Sequence, residues 1–169
     1  MKKKARIVIL MIAVITGFTC AFSTVLVHAK SSKLDFEAIE YQIYFVPLDE
    51  WVEDGVYHLR FYKQNDISGT IGGIPFSGYN EVNFHIKSDL MTGELTGHGM
   101  GTMYLSWNGL EGTFYGTIVI KGTNEGFEGK VILQGAGDFE GMKLFCKVWN
   151  IAPPFPPTNQ LSGTILVPR

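Results

Sequence analysis

The sequence predicts an all-β protein: a single closed antiparallel β-barrel of about eight strands, preceded by an N-terminal hydrophobic leader helix. Three observations carry that expectation. Glycine recurs every few residues, with 20 in 169, and β-branched and aromatic residues fill the gaps, a composition of strands joined by turns. Several runs alternate apolar and polar side chains, as half-buried strands do. A short unit (an apolar residue, then Glu, Ser or Thr, then Gly) returns at Gly69, Gly97, Gly112, Gly129, Gly141 and Gly163. Its irregular spacing excludes a solenoid. Glycine permits sharp bends in strands, and repeated bends coil a sheet until it closes and loses its edges.

Residues 1–29 are of another kind. Lys2, Lys3, Lys4 and Arg6 precede the uncharged apolar run Ile7–Val27, and Val27-His28-Ala29 is small at both key positions. That order of basic, apolar and small residues is a secretory signal peptide cut after Ala29. The 21-residue run is also long enough for an uncleaved membrane anchor, which needs about 20 residues. Both readings leave the basic end inside and place residues 30–169 as one extracytoplasmic domain, touching the membrane only through the N-terminal segment. Cys20 follows a poor lipidation box.

Without the leader the domain holds ten basic and sixteen acidic side chains, a formal charge of −6. Nucleic acid needs clustered cations, and the sequence clusters none. Cys146 is left as the domain's one cysteine, so an internal disulfide is excluded. Its place in the alternating MKLFCKVW makes it a small buried hydrophobe.

Nine strand-like runs follow the leader. Phe36 to Val46 is the first, expected to end at Pro47, with LDEWVEDG as an acidic connection turning at Asp54-Gly55. Val56 to Gln64 alternates Tyr57, Leu59 and Phe61 against His58, Arg60 and Tyr62. Ile67 to Ile74 is short and glycine-rich. Asn80 to Ser88 alternates most cleanly, with Val82, Phe84 and Ile86 on the core side. Leu95–Trp107, Gly112–Lys121, Phe127–Gly135 and Phe139–Asn150 come next. A proline-rich loop, Ala152 to Pro157, leads to the last run, Gln160 to Val167. Gly112–Lys121 is apolar on both faces, so its outer face is expected to be covered by the first strand, a partner chain or a loop.

Gly112 to Trp149 resembles the barrel family of allene oxide cyclases and dirigent-like proteins. The resemblance rests on the hairpin Gly135-Ala136-Gly137-Asp138-Phe139-Glu140-Gly141 between the apolar strands KVILQ and MKLFCKVW, and on the similar Gly112-Thr113-Phe114-Tyr115-Gly116-Thr117. It implies an eight-stranded barrel whose apolar interior holds a lipid-like or phenolic ligand, with trimers and dimers among the relatives. The N-terminal half does not align with that family, and no position matches a catalytic residue of the cyclases.

The residues point to little chemistry. His58, His85 and His98 lie on different strands in no metal-binding spacing, and surface histidines on polar faces are the simpler reading. His98-Gly99-Met100 with Met103 is only faintly like a soft-metal site. Asp49, Glu50, Glu53 and Asp54 lack the spacing of a calcium loop and read as solvated acids. No nucleophile elbow or phosphate loop is present, and no cofactor is implied. A small barrel has room for packed side chains or one small ligand. The expected function is binding of a small apolar ligand or a partner, possible homo-oligomerisation included, without catalysis. A cyclase-like isomerase and a structural or adhesive envelope domain are the alternatives. The candidate pocket residues are Phe84, Tyr104, Phe114, Met142, Leu144 and Cys146, with no catalytic or metal residue assigned.

Overall fold

The structure is a computed structural model and describes residues 31–123, 125–150 and 158–168. Eight strands follow in order: β1 (Ser32–Glu53), β2 (Val56–Ile71), β3 (Ile74–Asp89), β4 (Glu94–Trp107), β5 (Leu110–Thr123), β6 (Gly126–Gly137), β7 (Lys143–Asn150) and β8 (Thr158–Val167). Each pairs antiparallel with the next, and β8 returns to β1, so the sheet closes into a ring. The expected leader helix lies outside the described residues, as does the proline-rich loop. Among the described residues no helix is long and apolar enough to cross a membrane.

Several boundaries differ from the sequence reading. Ile67–Ile74 is not a strand of its own: it straddles the β2–β3 hairpin, turning at Gly72-Gly73. Nine runs thereby become eight strands. Pro47 does not end β1, because Pro47 pairs with Phe61 and the ladder continues from Asp49↔Arg60 to Glu53↔Val56. Leu48 is the extra residue of a bulge there. The ladder to β8 ends at Tyr41↔Thr158, so Pro47 has no strand of the described residues on its other side. A proline at a bulge on an unpaired edge sacrifices no ladder bond.

The tight hairpins have a common chemistry. Asp54-Gly55, Gly72-Gly73 and Asn108-Gly109 all hold positive φ at both positions, as two-residue type I′ turns require. Asp and Asn tolerate that region better than other residues with a Cβ, and glycine adopts it freely. These dipeptides set the registers of β1–β2, β2–β3 and β4–β5.

Alternation then decides what fills the ring. Phe36, Ala38, Ile67, Phe76, Val82, Phe84, Leu105, Phe114, Val131, Leu144 and Leu161 are buried inside. Glycines alternate with these bulky residues around the interior. A Cβ on Gly97 would meet the Phe84 ring and lie 3.0 Å from Ile120, and one on Gly101 would lie 2.9 Å from Ile118. Gly69, Gly97, Gly112, Gly129 and Gly163, from the recurring unit, all lack space for a Cβ. Gly97 and Gly112 let the Phe84 and Phe139 rings lie against bare backbone, the small-with-large pattern that fits side chains into a narrow barrel, while Gly69, Gly129 and Gly163 admit the backbone of the neighbouring strand.

The outer wall is organised as well. Lys130 pairs with Lys147 across β6 and β7, and Lys121 and Lys143 stand on the same wall. Pairing thus gathers cations that the sequence scatters. Tyr115 and Val119 on β5 are 48% and 56% exposed. The first strand does not cover them, since β1 is itself a stave between β2 and β8.

Candidate functional site: the barrel lumen

The lumen divides into a packed base and a polar-sided upper half. At the base, Phe36 stacks on Phe76 with centroids 5.4 Å apart, and Phe114 stacks on Phe139 at 5.1 Å. Phe139 belongs to the β6–β7 turn rather than to a strand and is 0% exposed. Its ring lies where a Cβ on Gly112 would come within 2.9 Å of it. Gly112 and the Gly135–Gly141 hairpin thus plug the barrel floor with an aromatic ring.

Above the floor, a belt of amides converges on one carboxyl group. Strand register places its members: Glu40 lies opposite Asn159, Asn65 opposite Asn80, and Asn150 opposite Asn159. Asn65 Nδ2 donates to Asn80 Oδ1 at 2.7 Å, and Asn80 Nδ2 donates to Glu40 Oε1. From the other side, Asn150 Nδ2 donates to Asn159 Oδ1 at 3.2 Å, and Asn159 Nδ2 donates to Glu40 Oε2 at 3.0 Å. Two arms of donors therefore end on the two oxygens of Glu40, which is 5% exposed. Buried polar groups are tolerable when so satisfied. Asn65 Oδ1 is buried without a partner among the described residues.

A cavity of about 80 Å³ opens beside this belt. Glu40, Lys63 and Asn159 form its polar side, on β1, β2 and β8. Its apolar side includes Phe84 and Met103 with Ile118, Phe127, Val131 and Val148. Lys63 as a whole residue is half-buried, but its amino group sits within the lumen. Burial pulls its pKa below the ordinary lysine range, and the nearby Glu40 opposes that pull. A larger groove on the outer wall includes Val119, Lys130 and Lys147. It contains no belt of mutually bonded buried groups, so the lumen is the candidate site.

The six expected pocket residues fall in different places. Phe84 lines the cavity. Phe114 and Leu144 are fully buried in the packed interior, and Met142 packs partly buried against it. Cys146 is buried near the belt, where desolvation first and the charge of Glu40 second push its thiol pKa well up. Such a thiol is a poor nucleophile. Tyr104 stands on the outer wall, stacked on Tyr79 at 4.5 Å. The charge of Glu81 is the main influence raising its hydroxyl pKa. Sequence reasoning overlooked Glu40, Lys63, Asn65, Asn80 and Asn159. The available signal was phase: Glu40 continues the Phe36–Ala38 face, and Asn80 continues the face of Val82 and Phe84.

A second cluster lies outside the ring. His58, His85 and His98 come from β2, β3 and β4, and Trp51 covers two of them. Trp51 stacks on His58 at 4.5 Å and buries it, while His58 Nδ1 lies 3.2 Å from His85 Nε2. Among the described residues, no group of three such side chains is arranged to hold a metal ion. The His85 pKa is lowered by desolvation first, then by His98, Arg60, His58 and Lys87. The folded state therefore binds this proton less readily than the unfolded chain, whose imidazole titrates at about 6.5. Stability is expected to fall as pH drops below about 6.5. Thermal melts across that range should show a shallower fall for His85→Gln. Identical slopes in variant and wild type would remove His85 as the cause.

No family model matches the chain, and neither does any curated protein or solved structure.

Proposed function

We propose that this protein is an extracytoplasmic binding barrel whose lumen takes a slender apolar molecule carrying one hydrogen-bonding group, and releases it unchanged. The observation that supports this reading is the two-sided lumen. An apolar wall from Phe84 to Val148 faces Glu40, Lys63 and Asn159 across one cavity. Apolar surroundings with a few convergent polar groups are the ordinary make-up of a small-molecule site. Size narrows the class of ligand. About 80 Å³ is below the roughly 300–1,000 Å³ of drug-sized pockets and the ~150 Å³ cavity that admits benzene. A short aliphatic alcohol or acid suits the space better than a phenolic ring. Export of the domain rests on the leader read in residues 1–29.

A cyclase-like isomerase is the second reading, and Glu40 favours it. Proton transfer during isomerisation needs an acid or base beside the reacting atoms, and this carboxyl lines the cavity.

Methyl NMR of Met103 and Ile118 during titration with 1-propanol, which is smaller than benzene, tests the binding reading. Saturable shifts are expected at millimolar concentration, with benzyl alcohol weaker. Val131→Phe should fill the cavity and abolish the propanol shifts while the fold persists. Resonances that stay fixed with propanol, in a protein otherwise folded, would sink the proposal. Conversion of a bound unsaturated probe, lost in Glu40→Gln, would favour the isomerase instead.

A further inference from the structure

We infer that the outer wall of β5–β7 is a docking surface for an anionic phospholipid bilayer, independently of what the lumen holds. Strand register builds the surface from parts scattered in sequence. Ile132 lies opposite Phe145, and in an adjoining row Val119 pairs with Lys130, which pairs with Lys147. Lys143 stands in the adjoining row on the other side. Val119, Ile132 and Phe145 are 56%, 50% and 40% exposed, and the lysines are exposed as well.

Two features select an anionic bilayer. First, Lys130 and Lys147 face each other directly, an arrangement of like charges that weakens a sheet. The ion pair found on this wall among the described residues, Lys121 with Glu128 at 3.2 Å, includes neither of them. A surface of phosphate groups would neutralise both. Secondly, apolar side chains stand between the cations. Flexible lysines can reach headgroups while aromatic and aliphatic tips enter the acyl boundary, the pattern of proteins that lie on a membrane. The opposite wall is unlike it: Asp35, Glu37, Asp66 and Glu81 stand on β1–β3. Charge therefore orients the barrel, basic side toward the lipid and acidic side away. This contact is additional to any anchoring by residues 7–27.

The test uses the full chain, with the N-terminal segment present in every variant. Phe145→Trp places a fluorophore at the centre of the wall, and its emission is read as the difference from the wild-type chain, in which Trp51, Trp107 and Trp149 emit as well. Its emission should shift to the blue on phosphatidylglycerol-containing vesicles, be quenched by brominated lipid, and stay unchanged on pure phosphatidylcholine. Replacing Lys130, Lys143 and Lys147 together by Gln should weaken this response about 100-fold, at roughly fivefold per lysine. Circular dichroism establishes that the variants remain folded. Vesicle binding by the Phe145→Trp variant without any change in its emission would assign attachment to the N-terminal segment alone and overturn the inference. A concentration-dependent blue shift without lipid, with dimers in sedimentation, would overturn it in favour of a second copy on this wall.

Discussion

Replacing Phe139 by alanine is expected to lower the unfolding free energy by about 3–5 kcal/mol, the range for truncating a fully buried aromatic side chain. Phe139 is 0% exposed, stacked on Phe114 and held at the floor of the ring. The backbone around it belongs to a turn bonded through Met142 N to Phe139 O at 3.0 Å and Gly135 N to Met142 O at 2.9 Å. Such a turn cannot readily collapse to refill the space. Most of the cavity penalty should therefore remain. Urea denaturation measures the loss, and Phe139→Leu should fall between alanine and wild type. The exposed neighbour substitution Glu140→Ala should change stability by no more than about 0.5 kcal/mol. If Phe139→Ala shifts the midpoint no further than Glu140→Ala does, the ring is not a plug.

Glu40→Leu should have the second large effect. Both carboxyl oxygens accept a hydrogen bond, from Asn80 and from Asn159. Leucine would leave two amide donors buried and unpaired, each costing about 1–3 kcal/mol. Glu40→Gln retains one acceptor oxygen and should cost roughly half as much by the same reasoning. Denaturant midpoints ordered wild type, Gln, Leu would support the belt as a coupled network. Equal midpoints would show that its members do not depend on one another. The double change Glu40→Leu with Asn80→Leu separates the contributions. In a coupled network it should cost less than the two single changes together.

Much of the fold was legible because closure of a β-sheet is written in local patterns. Alternation around Phe84 and around Leu144 placed those strands with the correct faces inward. Asp54-Gly55 marked a hairpin through backbone conformation alone. The errors have local causes too. Pro47 looks like a strand end because a proline removes a donor, yet its other edge needed none. Gly72-Gly73 was absorbed into an apparent strand because the flanking Ile71 and Ile74 resemble strand residues on both sides. The polar belt stayed hidden because each member is an ordinary polar residue in its own strand. Glu40 and Asn159 lie 119 positions apart, and only ring closure sets them face to face.

The sequence by itself determined the all-β class, most of the strands and the Asp54-Gly55 turn, since each depends on neighbours within a few residues. Only the tertiary structure decided that Glu40 would receive amides from both directions, that His58 and His85 would meet Trp51, and that lysines of separate strands would share one wall. Register is the physical reason. Antiparallel pairing places residues far apart in sequence about 5 Å apart. The chemistry of this barrel therefore comes from which strand lies beside which, and at what offset.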